Sequence, residues 1–528
     1  MVNLLRRCDI HLSRHWPLLV ILSLLIILRI PSFFEPYWYG DEGIYLTLGN
    51  AMRHGERLYA EIIDHKTPII YYLAMTPTQM QFRILLVAWM LVTTTAFYAV
   101  SRMVMRNSVL AVLTTLLFMI ATTIPMYEGH LPNGELFVMG FVMVAGWLWL
   151  RSPLGASLRS EKFATITKNN LGILSLPTAV GSVLFGLAVL TKVPALFDVI
   201  AFFSILWFSA WRTVILKVSS IKEKLAGTQS YIKTIIGLGL LFLLPILLSM
   251  VYFIARGSGQ AYLDYGLLYN FRYAGSWQPA FPAEIYSILF SFMGKTAILA
   301  GGLLGLTLAS RWLQPRWQWT AAWFLLALFA SILSNRPYPH YFLQAVPPLF
   351  LLIGITLDSV LKMRQQSITV AVQVALSAVA VVMTIGTIQL LDVYTYPTVK
   401  YYQRWADLMT GRIDIMTYRD SFDGLMTDNY KATEIITQSN NPYLFIWGTN
   451  PVLYAQTKKV PTGRFTVSFH IKDFNAYEET MQSVLDREPT FIVVMNNEKT
   501  ELPGLTEYLT EYYVAHSNFD NFTVWMRL

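Results

Sequence analysis

Eleven stretches of this chain approach the length at which an apolar helix crosses a bilayer, about 20 residues. They fall at 15–34, 84–101, 109–127, 135–150, 173–190, 193–211, 234–255, 285–309, 318–334, 342–361 and 369–391. In hydrocarbon a spanning segment must satisfy its own backbone hydrogen bonds, which leaves the α-helix as the form such runs take. The expected fold class is therefore a polytopic α-helical membrane protein with about 11 spans. Composition agrees: 55% of the 528 residues are hydrophobic and 14% charged, against about 25% charged in soluble domains. Mean hydropathy is +0.46. Cys8 is the single cysteine, which excludes an intrachain disulfide scaffold.

The net charge of +8 points to topology rather than to nucleic acid, because the basic residues gather in short connections between apolar runs. With a cytoplasmic N-terminus, the inner connections hold Arg102, Arg106, Arg151, Arg159, Lys162, Lys168, Arg212, Lys217, Lys222, Lys224, Lys233, Arg311, Arg316, Lys362 and Arg364. The first outer loop leans acidic, and the second carries Glu128 with no Lys or Arg. Arg6, Arg7 and Arg14 precede the first run, which lacks a small-residue cleavage site and reads as a retained span. No zinc-finger spacing, Walker loop or GxGxxG occurs.

Two domains are expected: a membrane domain, 1–397, and an extracytoplasmic α/β domain, 398–528. In the second, strands are predicted at 441–448, 489–497, 512–518 and 522–528, with helices near 474–486 and 503–511. Two outer loops are long, 35–83 and 256–284, and long loops often carry function.

The candidate residues crowd the outer face. Asp41 and Glu42 stand at the head of a helical pattern over 43–54, among Trp38, Tyr39 and Tyr45. Outer-loop acids ordinarily face water. A carboxylate held half-buried among aromatic rings instead has the raised basicity a general base needs. Asp64, His65 and Lys66 precede Pro68 and a short apolar run, 69–75, too brief to span. Lys66 can snorkel at the interface or hold a lipid phosphate. In MYEGHLPNGELF, 126–137, Glu128 and Glu135 flank His130 and Asn133. Acids start helices well, but ionisable groups at membrane depth are functional by default. Lys192 and Lys295 lie at or within spans and need partners. Arg272, Arg336, Tyr338 and His340 complete the set, the two arginines as anion contacts. One histidine beside one aspartate is a weak metal signal. The unusual residues crowd one face and no two halves match, which favours an enzyme on a lipid-linked substrate over a transporter or flippase.

The segment YWYGDEGIYLTLGNAMRHGERLYAEIIDHKTPIIYYL, 37–73, resembles the first-loop signature of the GT-C glycosyltransferases. The similarity is to the branch of protein O-mannosyltransferases, aminoarabinose transferases and rhizobial lipopolysaccharide glycosyltransferases. It rests on Asp41-Glu42, on Gly55 and Tyr59, and on Asp64, Lys66 and Pro68, and it extends to LPNGELF, GLAVLTKVP (186–194), RPYPHYFLQAVPPL (336–349) and WGTNPVLYAQTKKVPTGRF (447–465). The resemblance implies an inverting transfer from a polyprenyl-phosphate sugar to a hydroxyl on a glycolipid, lipopolysaccharide, polymer or protein, at the outer face of a bacterial inner membrane. It implies Asp41 as the catalytic acidic residue, Lys66 on the donor phosphate, and Glu128 or Glu135 as the second-loop acidic site. A divalent cation is an open expectation, with Asp41, His65 and Glu128 as its candidate ligands.

Overall fold

The computed structural model describes residues 2–153, 155, 158, 175–216, 220–362 and 368–528. The topology residues Arg159, Lys162, Lys168, Lys217 and Arg364 lie outside the described residues. Among the described residues, eight helices are long and apolar enough to cross a membrane: Trp16–Phe34, Gln79–Val104, Gly134–Arg151, Val193–Ile215, Ile221–Ala255, Phe292–Arg311, Pro339–Leu361 and Ile368–Leu390. Three of the eleven predicted runs form shorter helices, Ser108–Ala121, Leu176–Thr191 and Pro315–Ser331. The chain is a multi-pass helical membrane protein with a small C-terminal sheet.

Two local breaks have clear causes. Leu176–Thr191 and Val193–Ile215 are separate because Lys192 is extended (φ −159°, ψ 127°) and Pro194 opens the next helical turn. The run at 285–309 forms two helices rather than one, Glu284–Phe290 and Phe292–Leu308. Between them Ser291 is extended, and its hydroxyl caps the second helix by accepting from the Gly294 N–H at 3.0 Å.

The chain divides into two compact units. The first comprises Met1–Arg29, Leu86–Ser249 and Phe271–Pro397. Its core is aromatic: Trp149 packs on Phe185 at 5.4 Å, and Phe202 on Trp323 at 5.1 Å and Trp319 at 5.2 Å. A Cβ on Gly146 would stand 2.4 Å from the Phe202 ring, so close helix approach needs that glycine. A buried Arg316–Asp358 pair at 2.7 Å closes one helix junction, where Arg316 also donates to the Val104 carbonyl and the Asn107 N–H donates to Asp358.

The second unit comprises Ile30–Leu85, Met250–Asn270 and Thr398–Leu528. The structure thus groups the first outer loop, and part of the 256–284 loop, with the segment expected to stand as a domain of its own. Its sheet has the order β2-β1-β3-β5-β4, from Tyr443–Trp447 (β1), Val460–Pro461 (β2), Phe491–Met495 (β3), Tyr513–Asn518 (β4) and Phe522–Arg527 (β5). β2, β1 and β3 are parallel, and β5 and β4 antiparallel. The four predicted strands are present, as are the helices Tyr477–Arg487 and Leu505–Tyr512. The loop is bound in by its backbone: the Ile63 N–H donates to the Arg464 carbonyl at 2.8 Å, and the Ile63 side chain joins the core with Phe445, Phe465 and Ile492. The Gly40–Arg53 helix lies on Pro451–Thr457, where a Cβ on Gly43 would meet Val452 at 2.7 Å.

Candidate functional site

The Gly40–Arg53 helix begins with Asp41 and Glu42 in its first turn, where the helix dipole favours negative charge. Successive residues on a helix point about 100° apart, and the two carboxylates go to different places. Glu42, 2% exposed, pairs with Arg83 through Nε–Oε1 at 2.9 Å and Nη2–Oε2 at 2.6 Å, and also accepts from Gln79 at 3.0 Å. Arg83 is shared with buried Glu35 at 3.1 Å, whose carboxylate also accepts from Trp38 and Tyr401. Glu42 thus belongs to a buried ion cluster, turned away from Asp41. Asp41, with its side chain 30% exposed, faces Lys66 Nζ at 3.4 Å and accepts from the Tyr45 hydroxyl at 3.1 Å.

Lys66 is held from several sides. Its Nζ lies 3.9 Å from Asp64 Oδ2 and 5.0 Å from the Tyr45 ring centroid. Its N–H donates to the Tyr71 hydroxyl at 3.0 Å, and its carbonyl accepts from the Tyr59 hydroxyl at 2.7 Å. Tyr59 is fully buried in the left-handed region (φ +64°), a conformation that costs a bulky residue energy and clusters at functional sites. Burial raises the Tyr59 and Tyr71 phenols well above their usual range, so both remain donors. Tyr59 thus supports the loop backbone.

Beneath Lys66 lies Asp64, fully buried. Its Oδ2 accepts from Tyr71 at 2.6 Å, and its Oδ1 stands 3.1 Å from His65 Nδ1 and 3.6 Å from His470 Nε2. The two imidazole nitrogens are 3.2 Å apart. Burial pulls the Asp64 carboxyl upward, but the charges of His65 and Lys66 and the His65 hydrogen bond outweigh it, and its pKa lies well below the usual range. Burial pushes His470 down to about 3, so that ring is neutral. Among the described residues, Asp64, His65 and His470 form the group able to hold a metal ion. Of the expected ligands Asp41, His65 and Glu128, only His65 belongs to it, and Glu128 lies in the other unit.

The first unit gathers a second set. Glu128, buried with φ +59°, is hydrogen-bonded to His340 Nδ1, and Glu135 pairs with Lys192. Tyr341 joins them: its ring lies 4.4 Å from Lys192 Nζ and 4.7 Å from the His340 ring. Glu135 Oε2 has no hydrogen-bond partner among the described residues. Tyr338 stacks on His340 at 5.8 Å. Arg336 lies over the rings of Tyr273 at 4.2 Å and Trp277 at 5.4 Å and donates to Ser276, while Arg272 is exposed. Lys295 is held by the Ile332 and Leu333 carbonyls and Asn335.

Sequence reasoning missed His470, Tyr71, Arg83 and Glu35. Arg83 carried a usable signal, an ionisable group at the head of an apolar run. His470 carried none, because only folding brings it to residue 65.

No family model and no curated protein matches this sequence. Its fold is similar to that of ArnT from Cupriavidus metallidurans. The crystal structure bound to undecaprenyl phosphate has a TM-score of 0.54 at 14% identity, over 97% of this chain and 98% of that one. The apo structure gives 0.51 at 13% identity, over 98% of each chain. This likeness shows the fold, which is of the type the first-loop resemblance implied.

Proposed function

We propose that the protein is an inverting glycosyltransferase that moves a sugar from a polyprenyl-phosphate carrier to a hydroxyl acceptor. The acceptor is a glycolipid, lipopolysaccharide, polymer or protein at the outer face of a bacterial inner membrane. The N-terminus is cytoplasmic and the C-terminal domain extracytoplasmic. The observation carrying this reading is the Asp41–Lys66 contact at 3.4 Å: a partly exposed carboxylate beside a nearly buried ammonium, on a loop whose backbone two tyrosines clamp. The fold supports it, since its likeness extends to a protein crystallised with undecaprenyl phosphate.

In the proposed reaction the donor phosphate takes Lys66 as its counter-ion and releases Asp41 from that role. The acceptor hydroxyl oxygen attacks the anomeric carbon opposite the phosphate. The carbon–oxygen bond to the phosphate breaks, and the electron pair leaves with the lipid phosphate. Asp41 accepts the hydroxyl proton. Lys66 is positioned where charge grows on the leaving group, the place at which a fixed cation lowers the barrier. Tyr45 orients Asp41. Glu128 or Glu135 takes the second-loop acidic role that the resemblance implies. Arg272 and Arg336 are not needed by this scheme.

The test is a transfer assay on purified protein with radiolabelled polyprenyl-phosphate sugars and crude membrane lipid. Wild type is expected to move label off the donor, and D41A to lose transfer at unchanged thermal stability. Donor binding without turnover, equal in wild type and D41A, would reassign the protein as a carrier of lipid-linked sugar.

A further inference from the structure

We infer that a cavity rimmed by Arg57 and Arg256 binds the phosphate of a membrane phospholipid. The cavity lies wholly within the second unit, and neither Asp41 nor Lys66 lines it. This site is independent of the sugar-transfer reading.

Three chain ends build the cavity, whose volume is about 210 Å³. The Ile221–Ala255 span stops one residue before Arg256, and the backbone then turns at Gly257 (φ +74°), so that the Ser258 N–H returns to the Phe253 carbonyl at 2.9 Å. The Gly40–Arg53 helix ends before a second turn at Gly55 (φ +98°), which leads to Arg57. The short apolar helix Ile69–Leu73 supplies Tyr72. The Tyr72 and Tyr252 hydroxyls meet at 3.4 Å, and both rings are exposed beside Val251 and Ile254 on the outer surface of the span. Tyrosines so placed at a span end mark the level of lipid headgroups. The walls are apolar, from Met52, Leu58, Met75 and Phe253, and suit the glycerol and first methylenes of a lipid.

Charge identifies the ligand. The two acids at the rim already have cations: Glu61 takes Arg57 at 2.7 Å, and Glu56 takes Arg487 at 3.0 Å. Asp264, on the segment that follows Ser258, accepts from Gln260 at 3.0 Å. Arg256 is left over. Its guanidinium lies 6.0 Å from the Tyr252 ring centroid and makes no ion pair among the described residues. Arg57 is beside it, with Nη1 donating to the Arg256 carbonyl at 3.4 Å. Like charges brought together repel, and an anion between them removes that cost. A guanidinium fork matches phosphate oxygens, and basic pockets at the ends of spans take lipid headgroups. Acyl chains would then follow the exposed Val251 and Ile254 along the span.

The experiment titrates the full chain, in neutral detergent, with short-chain phosphatidylglycerol and counts bound lipid by native mass spectrometry. Wild type is expected to retain about one phosphatidylglycerol, in preference to diacylglycerol of the same chains, which lacks the phosphate. R256Q should bind it roughly tenfold more weakly, and R256K should recover part of the loss. R311Q should match wild type: Arg311 also ends a span and also lies over a ring, that of Trp312, but it lines no part of this cavity. R256Q binding equal to wild type, or R311Q weakened as much as R256Q, overturns the site. Equimolar polyprenyl phosphate or inorganic phosphate should leave the lipid bound. Displacement by either assigns the cavity to the carrier or to a free anion and overturns the phospholipid. If R256Q does not fold, wild type alone decides, because equal retention of phosphatidylglycerol and diacylglycerol refutes a phosphate site.

Discussion

Replacing Lys66 by alanine separates binding from chemistry. In the proposed complex the Lys66 ammonium gives the donor phosphate a charge-assisted hydrogen bond, worth about 2–3 kcal/mol. That loss weakens binding of polyprenyl phosphate roughly 30- to 150-fold. The side chain is 8% exposed, so screening by salt is weak and the effect should persist at physiological ionic strength. K66A also takes a cation from Asp41 at 3.4 Å and from Asp64 at 3.9 Å, so some stability is lost and the melting temperature must be followed alongside. The assay is equilibrium binding of sugar-free polyprenyl phosphate to detergent-purified wild type, K66A and K66R. Using the bare carrier excludes any contribution from the acceptor or the transfer step. K66R keeps the charge and should recover part of the affinity. K66A binding within twofold of wild type, in a chain that still melts cooperatively, would refute the reasoning and move the phosphate elsewhere.

Three further outcomes follow from other parts of the structure. R83M leaves Glu35 and Glu42 as buried carboxylates without their cation, which should destabilise the second unit by about 3–5 kcal/mol; thermal melts and expression yield would show it. Gly49 tests packing: an added Cβ would stand 2.2 Å from the Ala74 carbonyl oxygen, while one on Gly40 meets nothing within 4 Å. G49A is therefore expected to lower the melting temperature well below that of G40A, and equal melting would contradict the packing of Gly40–Arg53 on residue 74. The Glu498 carboxyl is held down to about 2: burial pulls it upward, but Lys472, Ser468 and the Thr500 N–H outweigh that. Because its folded value is depressed, its stabilisation is present above its unfolded value near 4.5 and is lost as pH falls toward 2. Melts over that window should show a smaller pH dependence for E498Q than for wild type.

Much of the architecture was open to a reader of the chain. Runs of apolar residues announce helices because hydrocarbon leaves the backbone no other partner, and among the described residues each of the eleven runs falls on helix, eight of them including a helix of membrane-crossing length. The strands at 443–447, 491–495, 513–518 and 522–527 were legible from their β-branched and aromatic composition between turn residues. The two-residue strand at 460–461 was too short to show a period. Asp41 and Lys66 were also named from sequence, but what distinguishes Asp41 from Glu42 was not. The two acids are adjacent and chemically alike. Their fates differ because helical rotation turns one toward Lys66 and the other into the Arg83 cluster.

The sequence by itself determined the membrane class, the helix positions and the identity of the charged residues available to a site, since these depend on composition and local periodicity. Tertiary structure alone decided which charges meet. Asp64, His65 and His470 come together across 405 positions, as do Glu128 and His340 across 212. Such pairings are set by how helices and strands pack, and a linear pattern carries no record of that distance.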